Sequence, residues 1–144
     1  MMWVIKRSHK IVIKKDRGFM DYKKIDPALD LMKEFSRVTN GMPTLIDQMR
    51  KKAIFSDGSV SQKYKILTAM IWAISARCEP CFKYYIQQAV KNSVTENELG
   101  EFLAVAATMG GCVGEMWALK AYKAYKDLDS SAAGDDTPPS CCVT

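Results

Sequence analysis

The sequence predicts an all-α fold, a bundle of about six helices, on three observations. Apolar residues recur at spacings of three and four through most of 26–127. Helix-capping residues stand before several of these runs, and Asn40-Gly41, Asp57-Gly58 and Gly110-Gly111 punctuate them. No region is strand-rich; one short β-branched run, Ile11-Val12-Ile13, could form a strand over 10–15.

The first helix starts at Asp26-Pro27, a capping carboxylate followed by a proline that needs no N–H partner. Its stripe is Ala28, Leu31, Met32, Phe35 and Val38, and Asn40-Gly41 with Pro43 ends it. A short second helix runs from Thr44 to about Phe55, with Leu45, Ile46, Met49 and Ala53 on one side. Ser59 and Gln62 have the spacing of a capping box, which sets a third helix running to about Arg77. Its second half, Leu67 to Ile74, is apolar nearly all round, as in a bundle centre or a subunit interface around Met70, Ile71 and Trp72. The fourth runs from Pro80 to about Asn92 with Phe82, Tyr85, Ile86, Ala89 and Val90 inward. Thr95 and Glu98 form a second capping box for a fifth helix over about 96–109, and a sixth follows over about 112–127 after the Gly110-Gly111 break.

The chain of 144 residues divides into a basic arm (1–24), a helical domain (25–128) and a tail (129–144) too poor in apolar residues to offset its ordering entropy. Met20 could be the true start, because no helical pattern precedes it. The net charge of +5 belongs to the arm, which holds eight Lys or Arg against Asp16 and Asp21; the rest sums to −1. A nucleic-acid-binding domain carries its basic surface on the folded body, so the charge argues against that function. Ile66 to Ala76 is too short an apolar run to span a bilayer, and the N-terminal residues have the charge order of no secretory signal. A cytoplasmic protein without a membrane or nucleic-acid partner is expected.

Five cysteines, an odd number, do not suit a disulfide-stapled secreted fold. Cys78-Glu79-Pro80-Cys81 opens the fourth helix, and residues three apart there face the same way, about 5–6 Å apart at Cβ. The unpaired N–H groups and positive end of a helix dipole stabilise thiolate, the reactive form. Arg77 and Lys83 would add to that, and Glu79 would oppose it. The pair can serve redox chemistry, contribute to a metal site, or be structural. A metal needs about four ligands, and Cys112 is isolated, Cys141-Cys142 lie in the tail and His9, the single histidine, is in the arm, so no metal or other cofactor is expected. Cys141-Cys142-Val143-Thr144 has the outline of a prenylation box but ends on an unusual residue, and a tail thiol could exchange with the central pair.

The stretch Leu67-Thr68-Ala69-Met70-Ile71-Trp72-Ala73, then Cys78 and Cys81, then Val94-Thr95-Glu96-Asn97-Glu98 and Ala106-Ala107-Thr108-Met109-Gly110-Gly111 resembles the carboxymuconolactone decarboxylase family. Within it the chain is similar to the alkylhydroperoxidase D branch, which keeps both cysteines. The resemblance implies a helical hairpin carrying the cysteines and a homo-oligomer, whether dimer, trimer or hexamer. It also implies a peroxidase-like oxidoreductase in which Cys78 and Cys81 cycle between dithiol and disulfide, with a peroxide or disulfide substrate and a protein or small dithiol as reductant. It assigns attack to Cys81. Two positions depart from the branch: Tyr85 stands where it has a histidine, and Ile66 where it has a glutamate. Those two form a proton relay in the family, so slow catalysis is expected here, and Tyr85 reads more readily as a core aromatic than as part of the site. The rival readings are a non-redox decarboxylase-like enzyme on a small lactone acid, and an oligomeric binding protein with relic cysteines.

Overall fold

A computed structural model describes residues 25–130, and all of the secondary structure in that range is helical. The basic arm, its short strand over 10–15 and the tail lie outside the described residues. The order is a 3-10 helix (Pro27–Leu31), then α1 (Met32–Val38), α2 (Met42–Ala53), α3 (Gln62–Ser75), α4 (Glu79–Lys91) and α5 (Glu96–Ser130).

The Asp26 cap is present, its Oδ1 accepting the Ala28 N–H at 2.8 Å, but the turn it starts is 3-10 and the α-helix begins only at Met32. The Ser59–Gln62 capping box is absent. Ser61 holds the N-cap position of α3 without a side-chain bond, and the Gln62 N–H donates instead to Asp57 Oδ1 at 2.9 Å. The Thr95–Glu98 box is complete: the Thr95 N–H donates to Glu98 Oε2 at 2.8 Å, and the Glu98 N–H to Thr95 Oγ1 at 3.2 Å. Lys63 Nζ lies 2.6 Å from Glu98 Oε2, tying α3 to the start of α5. Its bond holds the Glu98 carboxyl below the usual carboxylate range, with the Thr95 N–H acting the same way.

α5 is two antiparallel arms, 96–110 and 112–130. Gly111 has φ +56° and ψ −150°, a conformation essentially closed to residues with a Cβ. The Tyr122 O–H donates to Glu96 Oε1 at 2.6 Å, whereas 26 residues of straight helix would separate them by about 39 Å. The chain therefore reverses at Gly111, which accounts for the sixth helix expected after Gly110-Gly111. At Gly114 a Cβ would stand 2.7 Å from the Ala106 carbonyl oxygen, so glycine lets the arms approach. By length and composition alone Glu96–Leu128 could cross a membrane, but the reversal leaves a first arm of only about 22 Å, short of a ~30 Å hydrocarbon core.

The core lies between α3, α4 and α5. Ile66, Leu67, Met70, Phe82, Ile86 and Leu99 are wholly buried, and Ala106, Ala118, Ala121 and Tyr125 close it from the two arms. Met70 thus packs inside its own chain, and of the expected interface segment it is Trp72 that faces solvent, 75% exposed. The apolar stripes of α1 and α2 are largely exposed, from Leu31 and Phe35 through Leu45 to Met49. These two helices pack on each other and neither lies alongside α3, α4 or α5. They hold to the body through Ile54 and Phe55, which pack against the core.

Helices α1, α3 and α4 end in the same way, each with a non-glycine residue in the left-handed region: Asn40 (φ +51°), Arg77 (φ +54°) and Ser93 (φ +58°). After α3, the Cys78 N–H reaches back to the Ala73 carbonyl at 2.9 Å and the Arg77 N–H to Ile74 at 3.0 Å, the paired bonds of a Schellman motif. Glycine fits this position without the Cβ penalty. Arg77→Gly is therefore expected to stabilise the protein by about 0.5–1 kcal/mol, read as a higher urea midpoint at unchanged slope with the cysteines held reduced. A loss of stability would show that the Arg77 side chain outweighs the backbone strain.

Candidate functional site

Cys78 is the last residue of the α3 termination and the N-cap of α4, with extended backbone (φ −92°, ψ 94°). Its carbonyl accepts the first helical bond, from Phe82 N–H at 3.1 Å. Glu79 and Pro80 are the first two helical residues and Cys81 the third, so the helix starts one residue before the expected Pro80. Cys78 and Cys81 form a disulfide with Cα atoms 5.2 Å apart, inside the usual range for such bonds. Both cysteines are half-buried, and Cys81 packs against the core cluster that contains Ile66.

Glu79, between the cysteines, is turned to its own helix: its carboxylate lies 2.7 Å from Lys83 Nζ, which holds it below the usual carboxylate range. The two charges expected to act in opposite directions on the thiols are thus spent largely on each other. Arg77 precedes the pair on an exposed turn.

Tyr85 lies one turn beyond Cys81, and both pack against the core. Its ring meets Tyr84 edge-on, 5.2 Å between centroids; Tyr84 in turn meets Phe55 at 6.1 Å and carries the Arg50 guanidinium 5.8 Å above it. Ile66 is wholly buried in the same core. The flank beside Cys81 is therefore aromatic and aliphatic, with neither an imidazole nor a carboxylate at the two positions where the relay would stand. Among the described residues no three His, Cys, Asp or Glu side chains are grouped to hold a metal ion. Cys112 is free and exposed beside the Gly111 reversal, while His9, Cys141 and Cys142 lie outside the described residues.

Sequence spacing gives no sign of two other features. Phe55, beyond α2, supplies part of the aromatic wall next to Tyr85. On the opposite flank of α4, Glu79 and Lys83 form an open groove of about 240 Å³ with Lys120, Lys123, Ala124 and Asp127. Lys120 lies 4.3 Å above the Trp117 ring, and Trp117 meets Phe82 edge-on. The Phe55–Tyr84 and Phe82–Trp117 contacts join residues 29 and 35 positions apart, beyond the reach of any local pattern.

Residues 41–124 match the model of the carboxymuconolactone decarboxylase family. An uncharacterized protein of Cupriavidus necator is 28% identical over 103 residues, covering 70% of this chain and 91% of its own length. The apo crystal structure of a carboxymuconolactone decarboxylase family protein from Legionella pneumophila superposes with a TM-score of 0.68 at 28% identity, over 74% of this chain and 96% of that one.

Proposed function

The chain belongs to the carboxymuconolactone decarboxylase family, and from that membership and the Cys78–Cys81 bond at a helix start we propose that it is a thiol–disulfide oxidoreductase that reduces a peroxide or a partner disulfide. The observation that carries the reading is the closed bond where two helices meet, with both sulfurs at the N-terminal end of α4.

In the reduced state one thiolate attacks the distal oxygen of a hydroperoxide, ROOH. The O–O bond breaks, the sulfur becomes a sulfenic acid and, with a proton from solvent, ROH leaves. The second cysteine attacks the sulfenic sulfur and expels the hydroxyl as water, closing the disulfide. A dithiol of protein or small-molecule type then reopens it by exchange and leaves oxidised, so two electrons pass per turn. The cycle needs a compartment that supplies reducing thiols, which fits a cytoplasmic home.

The family resemblance gives attack to Cys81; the local structure supports Cys78. An N-cap side chain accepts the N–H of the second or third helical residue. Here the second is Pro80, which has no N–H, and the third is Cys81 itself. A Cys78 thiolate would therefore cap α4 through the Cys81 N–H, at the positive end of the helix dipole.

Thiol counting tests the reading. Oxidised protein should present three alkylatable cysteines and dithiol-treated protein five, with mass spectrometry locating the bridge at Cys78–Cys81. One equivalent of hydroperoxide added to reduced protein should yield one of alcohol. If the two stay free while Cys112 or the tail thiols oxidise, the proposal is wrong.

A further inference from the structure

Cys81 shares one face of α4 with Tyr84 and Tyr85, which follow it by three and four residues. All three are half-buried, as is Phe55, so the strip they make is neither sealed in the core nor fully solvated. Its aromatic contacts are continuous from Tyr85 through Tyr84 to Phe55, and the Arg50 guanidinium lies over the Tyr84 ring. The end of α2 sets that arginine in place. The Ile54 and Phe55 N–H groups both donate to the Arg50 carbonyl, at 2.8 and 3.0 Å, so the residue that carries the cation also anchors the wall.

Among the described residues no carboxylate pairs with Arg50. The nearest acid before it on its own helix, Asp47, is held by Lys51 at 2.7 Å, and Asp57, beyond Phe55, accepts the Gln62 N–H. On the other flank of α4 the cations are differently placed: Lys83 is bound to Glu79 and Lys123 to Asp127. Arg50 therefore offers an open guanidinium fork at the rim of an aromatic strip, the arrangement that takes a planar carboxylate attached to an apolar body. Cys81 and each tyrosine are about 5–6 Å apart at Cβ, which puts sulfur and guanidinium on the order of 10 Å apart.

We propose that Arg50 binds the carboxylate of an acid-bearing organic hydroperoxide whose apolar body lies along Phe55, Tyr84 and Tyr85, with its peroxide at the cysteines. The inference rests on the redox reading and narrows it to a substrate class, of which fatty-acid hydroperoxides are the simplest members. The carboxylate takes no part in the bond changes; it fixes the peroxide end against the sulfur.

The test compares the hydroperoxide of linoleic acid with its methyl ester, both below their aggregation limits, on the reduced full-length chain with dithiothreitol as reductant. The two probes share one apolar body and differ in one charge. For wild type, kcat/KM should be about 10-fold higher for the acid, as one charge-assisted contact supplies. Arg50→Gln should raise KM for the acid about 10-fold at unchanged kcat and leave the ester as it was, whereas a purely structural Arg50 would move both substrates together. Arg50→Lys should keep part of the preference, and Lys120→Gln, on the other flank, all of it. Arg50 is exposed, so helical circular dichroism should be unchanged in its variants. Equal turnover of acid and ester by wild type, or an Arg50→Gln chain that keeps the preference, overturns the inference and leaves the redox reading standing. If neither hydroperoxide is consumed although the Cys78–Cys81 bond forms and reopens, the peroxide form of that reading and this inference fall together.

Discussion

Cys78→Ser and Cys81→Ser should each abolish dithiol-dependent peroxide turnover, a fall of at least about 10³-fold, while Cys112→Ser leaves it within twofold. The size follows from the chemistry. Without one sulfur there is no attack, and without the other the sulfenic acid has no intramolecular partner and the cycle stops after one event. The two serine variants also separate the roles. In Cys81→Ser the remaining Cys78 should alkylate at pH 7 about 10-fold faster than the remaining Cys81 does in Cys78→Ser. At the N-cap the Cys78 sulfur can accept the N–H of the third helical residue, whereas Cys81 has already entered the helix. The measurement is the pH dependence of alkylation, with Cys112, Cys141 and Cys142 replaced by serine in both backgrounds. The reverse order would return attack to Cys81, as the family resemblance has it.

The second large effect concerns the missing relay. Tyr85→His combined with Ile66→Glu should raise peroxide turnover by about 10-fold or more, within the 10²–10⁴ that general base catalysis supplies. Tyr85→His alone should give less, since no carboxylate would then orient the imidazole. Ile66→Glu alone should be costly: Ile66 is wholly buried, and a carboxylate there without a partner should lower stability by about 3 kcal/mol, with the pairing in the double variant recovering part of it. Rate and urea midpoint are both needed. A folded double variant with no gain would mean that Tyr85 does not serve the cysteines, and a fast wild type would mean that another group already takes the proton.

Helix existence was legible because most of the helices carry their own punctuation. The Thr95–Glu98 box, the Asp26 cap and the Gly110-Gly111 break are local devices, and each operates within a few residues of where it is written. Ser59–Gln62 failed because Asp57, two residues earlier, offers a charged acceptor to the same N–H. Arg77 and Ser93 look like ordinary helix residues, and only the fold around them holds them in the left-handed region. The stripes of α1 and α2 show the limit of the pattern: periodicity marks an apolar face and does not say what packs on it. At the site, the pair and its place at a helix start were readable from Cys-x-x-Cys and Pro80. The Glu79–Lys83 bond, the Phe55 wall and Lys120 over Trp117 were not, because side-chain choice or distant packing decides them.

The sharing of Cys78 between two helices also bears on which length changes this chain can accept. Only Ala76 and Arg77 separate Ser75 from Cys78, both termination bonds of α3 cross that gap, and the first bond of α4 starts from Cys78 itself. One residue inserted or removed there would break the paired bonds or turn the cysteine-bearing end by about 100° relative to the core face of α4. The connection at 57–61 is the opposite case, an exposed loop held mainly by the Asp57 bond to Gln62, where a longer loop costs little closure entropy. Across relatives that keep the pair, gaps should collect at 57–61 and be absent from 74–81.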